Sequence, residues 1–208
     1  MEPQRLTLVK KYFMKTNYTN PFIIIFCLAF IYSCKAQQQI YPLITDTSTI
    51  PNNSYVKDID NEYDQFVGTW KSSLTNKTVT LKITKVLQKP LQKLNNSYYS
   101  DVLIVQYSII DNNGNIIENN ISSNLNDYKI ISTLYSKKAH IAKLYYQGGK
   151  CQVGWGGINL KVIDSTHLNW NYQPESTMLT NKNCPDYPTG GIKINLPYEP
   201  ENIIFTKQ

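Results

Sequence analysis

Short segments in which apolar and polar residues alternate constrain the fold of this chain more than any other feature. In the segment 79–84, every second residue is apolar and the residues between are Thr or Lys. The segments 158–162 and 168–172 repeat this pattern on either side of a polar turn at 164–166. A period of two is typical of an antiparallel strand with one buried face. The chain is therefore predicted to be rich in β-structure.

Further strands are predicted by apolar runs between turn residues. A first strand begins at Phe66, the run 98–110 is apolar enough for a central strand, and Asn113-Gly114 predicts a tight hairpin turn. Lys89-Pro90 is expected to end the strand that begins near Val79, and 128–135 is either a strand or a short helix. The final strand spans 202–206. About eight to ten strands at such intervals are typical of a barrel or sandwich, and an all-β antiparallel meander barrel is expected.

The net charge of +6 does not indicate nucleic-acid binding. Half of this charge lies in the first 33 residues, which hold four basic residues against Glu2. Arg5 is the only arginine, so the rest of the chain has only lysines, which cannot make the planar two-point contacts of arginine to phosphate or guanine. No nucleic-acid partner is expected.

Residues 1–36 have the pattern of an export signal. A cationic start precedes the apolar run 21–32, which is too short to span a membrane but suits a signal peptide. Ile31-Tyr32-Ser33-Cys34 resembles a lipobox, after which Cys34 would carry the lipid that anchors the protein to a membrane. The alternatives are ordinary cleavage after Ala36 and an N-terminal helix that stays in the mature fold.

The expected location is the cell envelope, with the lipid anchor in the outer membrane and the domain facing the periplasm. The residues after Cys34 lack the acidic pair associated with surface export. A soluble secreted or periplasmic protein is the alternative. Residues 37–64, rich in Gln, Thr, Asn, Pro and Asp, are predicted to form a flexible stalk, from which Ile59 and Tyr63 could lie across the domain formed by 65–208.

Two cysteines remain in the mature chain after loss of the signal and lipidation of Cys34. In an oxidising compartment, Cys151 and Cys184 most simply form one disulfide, although two free thiols are the alternative. A metal site that combines them with His140 and His167 lacks the short ligand spacing of zinc sites. No metal or cofactor is expected.

No catalytic residue is proposed. His140 and His167 have no serine or cysteine nucleophile in a recognisable motif, and the acidic residues of 58–64 lie in the predicted stalk, where nothing holds them at a fixed separation. The glycines between 148 and 157 do not open a helix after a strand, so they are interpreted as turns rather than as a phosphate-binding loop. The protein is expected not to be an enzyme.

Gly68-Thr69-Trp70 resembles the Gly-x-Trp opening of lipocalin-like barrels, in which the tryptophan plugs the closed end. The chain also resembles a family of uncharacterised flavobacterial lipoproteins. The resemblance lies in the export signal 1–36 and in the segments 66–70, 101–107, 168–170 and 202–208. The resemblance implies a lipocalin-like meander barrel and no particular activity. Lipocalins place an arginine across this tryptophan. Here Lys207 is the residue expected to replace it through a cation–π contact.

The first functional hypothesis is a binding module whose barrel interior takes a small apolar ligand. The alternative is that the same residues fill the core and leave no cavity. The candidate ligand contacts are Trp70, Leu81, Ile83, Leu103, Val105, Tyr107 and Trp170.

The second hypothesis is an envelope structural module that contacts an envelope protein or a glycan through exposed aromatic rings. The candidate rings are Tyr98, Tyr99, Tyr145, Tyr146 and Trp155.

Overall fold

The computed structural model describes residues 37–93, 96–198 and 202–208, and residues 38–208 form one compact unit. The expected signal peptide 1–36 and Cys34 lie outside the described residues. Within the described residues no helix is long and apolar enough to cross a membrane. The strands are β1 (Ile40–Pro42), β2 (Tyr55–Lys57), β3 (Gly68–Ser73), β4 (Lys77–Lys93), β5 (Asn96–Asp111), β6 (Ile116–Asn119), β7 (Ile130–Ser136), β8 (Ile141–Tyr146), β9 (Gly156–Val162), β10 (His167–Pro174) and β11 (Ile203–Lys207). Two 3₁₀ turns occupy Asp64–Phe66 and Lys150–Gln152.

Eight of the described strands close an antiparallel barrel. Around it the order is β3, β4, β5, β7, β8, β9, β10 and β11, so that each barrel strand pairs with the barrel strand that follows it along the chain. The barrel closes where β11 pairs with β3, with Lys207 opposite Trp70. Strands β1, β2 and β6 are additions along β5. The predicted all-β meander barrel is confirmed.

One end of the barrel, where β3 begins and β11 ends, is closed as the Gly-x-Trp pattern predicts. Trp70 is fully buried there, and its indole Nε1 donates a hydrogen bond to the Phe66 carbonyl oxygen at 2.8 Å. The Lys207 ammonium lies 5.1 Å from the centroid of the Trp70 ring. Lysine therefore makes the expected cation–π contact.

Strands β4 and β5 extend beyond the barrel as a two-stranded ribbon. β3 pairs with β4 from Ser73 opposite Thr78 to Gly68 opposite Ile83, whereas β5 follows β4 as far as Lys93. We call residues 87–93 and 96–101 the hairpin extension. The prediction that Lys89-Pro90 ends this strand is wrong. A register shift between Val86 and Lys89 precedes Pro90, and beyond it β4 pairs only with β5, so Pro90 lies in an edge segment, where proline is tolerated.

Residues 38–66, called here the N-terminal arm, pack on the barrel instead of forming a flexible stalk along their length. β1 pairs in parallel with β2, and β2 pairs in parallel with Tyr99 and Ser100 of β5. Tyr63 is buried as the sequence suggested, whereas Ile59 is exposed. The arm differs from the expected stalk because its apolar residues are spaced too irregularly to show a period, yet Leu43, Ile50 and Val56 are buried in the folded chain.

Two local predictions for the segment after β5 have clear outcomes. Asn113-Gly114 forms the expected turn between β5 and β6, with Gly114 in the left-handed region at a φ of 86°. The segment 128–135, left open between strand and helix, forms β7 from Ile130 to Ser136.

The opposite end of the barrel, where β8 and β10 end, is covered by two loops that the predicted disulfide joins. Cys151 lies in the loop between β8 and β9, Cys184 lies in the segment between β10 and β11, and their Cα atoms are 5.4 Å apart. The Trp170 indole donates a hydrogen bond to the Pro197 carbonyl oxygen at 2.9 Å, which holds the second segment over the barrel. The predicted disulfide is confirmed.

Alkaline pH should destabilise this barrel. Burial raises the pKa of Tyr63 to about 12 and also raises the pKa values of Tyr107, Tyr146 and Tyr172 above their usual value of 10.0. The folded state therefore keeps phenolic protons that the unfolded chain loses. The stability from these groups is complete below about pH 10 and is lost as the pH rises above it.

A titration that follows phenolate absorbance together with circular dichroism would test this expectation. Some tyrosines should ionise without loss of structure, and the remainder should ionise only as the β-sheet signal disappears. Ionisation of every tyrosine in one step with an unchanged β-sheet signal would contradict it.

Candidate functional site

A cavity of about 360 Å³ lies beside the hairpin extension. Three elements surround it, namely the N-terminal arm, the hairpin extension and the first half of β7. Its walls consist mainly of aliphatic and aromatic side chains. The residues that line it are Leu43, Thr47, Val56, Tyr63, Leu91, Gln92, Lys93, Tyr98, Ser100, Tyr128, Ile131, Ser132, Thr133 and Leu134.

The arm forms one wall of this cavity because β2 pairs along β5. Tyr55 lies opposite Tyr99 and Val56 opposite Ser100, which places the Val56 side chain in the cavity wall. Further along the arm, the Tyr63 ring packs edge-on against Tyr135, with centroids 6.0 Å apart. The arm thus completes a surface that the barrel and hairpin alone would leave open.

Asp101 ties the arm to the hairpin extension from the β5 side. Its carboxylate accepts hydrogen bonds from the Tyr55 hydroxyl at 2.6 Å and from the Asp58 backbone N–H at 2.9 Å. It also accepts one from the Gln88 N–H at 2.9 Å, which holds the register shift of β4. A buried carboxylate with several donors recovers much of the solvation that it loses. The arm and β4 therefore converge on one side chain of β5.

Asp58 ties the arm to the barrel wall. Its fully buried carboxylate accepts backbone N–H bonds from Glu62 at 2.7 Å and Tyr63 at 3.0 Å, and it pairs with the Lys85 ammonium at 2.7 Å. Lys85 also contacts Asp64 at 2.7 Å. Although its burial acts in the opposite direction, the hydrogen bonds to Asp58 and Asp64 raise the pKa of Lys85. The lysine therefore stays charged between the two carboxylates.

The hairpin extension forms the apolar floor and the charged rim of the cavity. Leu91 lies opposite Tyr98 in the ladder, so both side chains lie on the same face. Lys93, near the tip, is exposed and reaches back to the arm, where its ammonium lies 3.4 Å from the Thr47 hydroxyl. The exposed residues Gln92, Lys93 and Thr133 place the mouth of the cavity near the hairpin tip.

The remaining wall comes from β7 and the residue before it. A register shift between Ser132 and Leu134 bends β7 at the cavity, and the Ser132 hydroxyl accepts a hydrogen bond from the Leu103 N–H at 2.8 Å. Lys89 caps the Tyr128 ring, with its ammonium 4.8 Å from the ring centroid. The bend lets consecutive residues of one strand line the same cavity.

This arrangement suits the binding of a small molecule with an apolar body. The cavity is at the lower end of the volume range of ligand sites, roughly 300 to 1,000 Å³. Hydroxyl groups of Thr47 and Ser132 and the ammonium of Lys93 are among the polar groups that could orient a ligand. In the part of the chain that the structure describes, no group of three or more His, Cys, Asp or Glu side chains could hold a metal ion.

The seven residues predicted as ligand contacts all lie in the barrel core and not in this cavity. Each is at most 2% exposed, and none lines the cavity described above. As ligand contacts they stay a prediction. The seven residues are Trp70, Leu81, Ile83, Leu103, Val105, Tyr107 and Trp170.

The five aromatic residues predicted as a contact surface are split between core and surface. Tyr98 and Tyr146 are buried, while Tyr99 and Trp155 are half-buried. Tyr145 is exposed, and its ring centroid lies 6.3 Å from that of Trp155. The structure therefore brings two of the five together as a surface pair.

Sequence reasoning missed the residues of the cavity because they come from segments taken to be a stalk, a strand end and an ambiguous stretch. One signal was present. Asp58 precedes Glu62 and Tyr63 by four and five positions, and aspartate side chains commonly accept hydrogen bonds from nearby backbone N–H groups in turns.

Replacement of Asp58 by alanine should release the arm. The change removes the partner of Lys85 and the acceptor of two backbone N–H groups, and breaking such a buried pair costs about 3 kcal/mol. Amide hydrogen exchange of β2 and of Glu62 and Tyr63 should therefore accelerate by about a hundredfold. Asp60→Ala is the matched control, since Asp60 makes an exposed ion pair with Lys137. Equal exchange in the two variants would contradict the assigned role of Asp58.

Comparison with known proteins gives a family but no characterised relative. No curated protein and no solved structure matches the chain significantly. One family model covers residues 14–208, which includes the barrel, the arm and all walls of the cavity. The chain belongs to that family, described as a family of unknown function (DUF6705).

Proposed function

We propose that this protein is a non-catalytic binding module of the cell envelope that takes a small apolar ligand in the cavity between the N-terminal arm and the hairpin extension. The observation that carries the proposal is the cavity itself, with walls of leucine, isoleucine, valine and tyrosine side chains and one lysine at its mouth. Burial of apolar surface would supply the affinity, at roughly 25 cal/mol for each Å² removed from water.

The position of the cavity, lined by the arm, the hairpin extension and β7, changes the form of the binding hypothesis. The barrel interior is occupied by large side chains such as Trp70, Trp170 and Tyr172, which are fully buried. An eight-stranded barrel is only just wide enough to hold its own side chains. A ligand therefore finds room beside the barrel, under the arm, more readily than within it.

The proposed envelope location rests on the sequence and on the disulfide. Lipidation of Cys34 would place the anchor three residues before Gln37, where the described chain begins. The disulfide between Cys151 and Cys184 supports an oxidising compartment, where such bonds persist. We propose an outer-membrane anchor with the domain facing the periplasm, and a soluble secreted or periplasmic form as the alternative.

The alternative function, an envelope structural module that contacts a protein or a glycan, has narrower support. Tyr145 and Trp155 are the only two of the five predicted rings that meet near the surface of the described structure. Two rings could stack on one sugar, but buried Tyr98 and Tyr146 are not accessible to a partner.

A substitution that fills the cavity tests the proposed function. Leu91→Trp adds bulk on the cavity floor and should weaken binding of the neutral apolar dye N-phenyl-1-naphthylamine by about tenfold, which corresponds to about 1.4 kcal/mol. Leu87→Trp is the matched control, since Leu87 belongs to the same strand, is 64% exposed and does not line the cavity. Dye fluorescence titrations would measure both affinities, and thermal unfolding would confirm that both variants are folded.

The wild-type protein should bind one dye molecule and the Leu87→Trp variant should match it. Absence of saturable binding to the wild type, or equal affinity of the two tryptophan variants, would overturn the proposed site.

A further inference from the structure

A second cavity, of about 510 Å³, lies at the opposite end of the barrel from Trp70. Strand direction fixes this placement, because β8 runs away from the Trp70 end and reaches the cavity with its last residue, Tyr146. The loop that holds Lys150 forms one side, and the segment 188–195 forms another. The two cavities are thus separate sites.

Charge distinguishes this cavity from the first. Lys129, Lys150 and Lys193 line it, and Glu118 is the one carboxylate among its lining residues. No ion pair joins Lys150 or Lys193 to any carboxylate of the described residues, whereas Lys129 pairs with Glu118 at 3.3 Å. The cavity therefore carries an excess of positive charge.

Glu118 is fully engaged and does not offset the two other lysines. Its carboxylate accepts hydrogen bonds from the Tyr107 hydroxyl at 2.5 Å, from the Lys129 ammonium at 3.3 Å and from the Asn195 side-chain amide at 3.2 Å. An acceptor that already has three donors, one of them cationic, has little capacity for a cationic ligand. The polar side chains on this wall of the cavity are therefore held by hydrogen bonds to one another.

A chain of two tyrosines extends this network into the barrel. The hydroxyl oxygens of Tyr107 and Tyr146 are 3.2 Å apart. Because Tyr107 gives its only hydroxyl hydrogen to Glu118, Tyr146 must donate to Tyr107. Burial raises the pKa values of both tyrosines, so both stay protonated at neutral pH. The hydroxyl groups of Tyr107 and Tyr146 are therefore occupied by hydrogen bonds within the protein. The ammonium groups of Lys150 and Lys193 remain available to a ligand.

The backbone adds no donors to the site at its two glycines. The N–H of Gly149 donates to the Val153 carbonyl oxygen at 2.9 Å, and the N–H of Gly191 donates to the Pro188 carbonyl oxygen at 3.0 Å. Recognition would thus depend on ammonium groups, which act as point charges and tolerate varied ligand shapes.

The disulfide links the two segments that form these sides of the cavity. Cys151 follows Lys150 directly, and its partner Cys184 belongs to the segment that carries Lys193. Cys151 and Gln152 are both in the left-handed region, with φ of 54° and 59°. The loop therefore has a backbone conformation that is uncommon for non-glycine residues.

We infer that this lysine-lined cavity binds a small multivalent oxyanion, of the phosphate or carboxylate class, with Lys150 and Lys193 as its cationic contacts. The two segments that carry these lysines are joined by the disulfide between Cys151 and Cys184. Two charges near one cavity attract a multivalent anion far more than a monovalent one, and salt weakens that attraction.

Calorimetric titration with inorganic pyrophosphate at low ionic strength tests this inference. The oxidised wild-type protein should bind one equivalent, and the double variant Lys150→Gln, Lys193→Gln should bind about tenfold more weakly, which corresponds to about 1.4 kcal/mol for the two contacts together. The control is Lys82→Gln, Lys161→Gln, which removes the same charge from exposed positions that do not line the cavity.

The control variant should bind like the wild type, and backbone NMR shifts on titration should fall in 148–155 and 188–195. The variant Cys151→Ser, Cys184→Ser should bind more weakly while it retains the barrel signal. Absence of binding, an equal loss in the two double lysine variants, or shifts spread over the whole surface would overturn the inference.

Discussion

The two buried carboxylates of Asp58 and Asp101 are the interaction on which the rest of this architecture depends. Burial of a carboxylate is costly unless donors and a counter-charge replace its water. Here the arm supplies donors to Asp101, while the barrel supplies Lys85 to Asp58. Neither group can be satisfied unless the arm is in place. The network therefore makes the arm a part of the fold, and with it one wall of the candidate site.

The barrel itself contributes rigidity more than ligand space. Its interior is filled by aromatic and branched side chains, with Trp70 at one end and Trp170 towards the other, each bonded to a backbone carbonyl of a covering segment. Such a core resists deformation. Additions around it form the two cavities, the arm and hairpin extension at one end and the disulfide-linked loops at the other. This division follows a common pattern, in which a rigid scaffold positions functional loops.

The sequence predicted the parts of the fold that depend on local patterns. Alternation at 79–84 and 158–172, the Asn113-Gly114 turn and the two cysteines gave the barrel, one hairpin and the disulfide. The cation–π contact between Lys207 and Trp70 was predicted because lipocalins have an arginine at this place and this chain does not.

What the sequence could not predict depends on long-range contacts. Pro90 lies within a strand because that part of β4 has one neighbour only, a fact of topology. The arm pairs in parallel with β5. Its position on the barrel depends on the hydrogen bond between Asp58 and Asp101, which are 43 positions apart in the sequence. The cavity is formed by the arm, the hairpin extension and β7 together, so the sequence of any one of them does not reveal it.

The central claim is that an apolar ligand lies beside the barrel, against the arm, and not within it. Intermolecular nuclear Overhauser effects between N-phenyl-1-naphthylamine and the methyl groups of the labelled protein measure this directly. The account predicts contacts to Leu43, Leu91 and Ile131, which line the cavity. Contacts to Leu81 and Leu103, which face the barrel core, would contradict it.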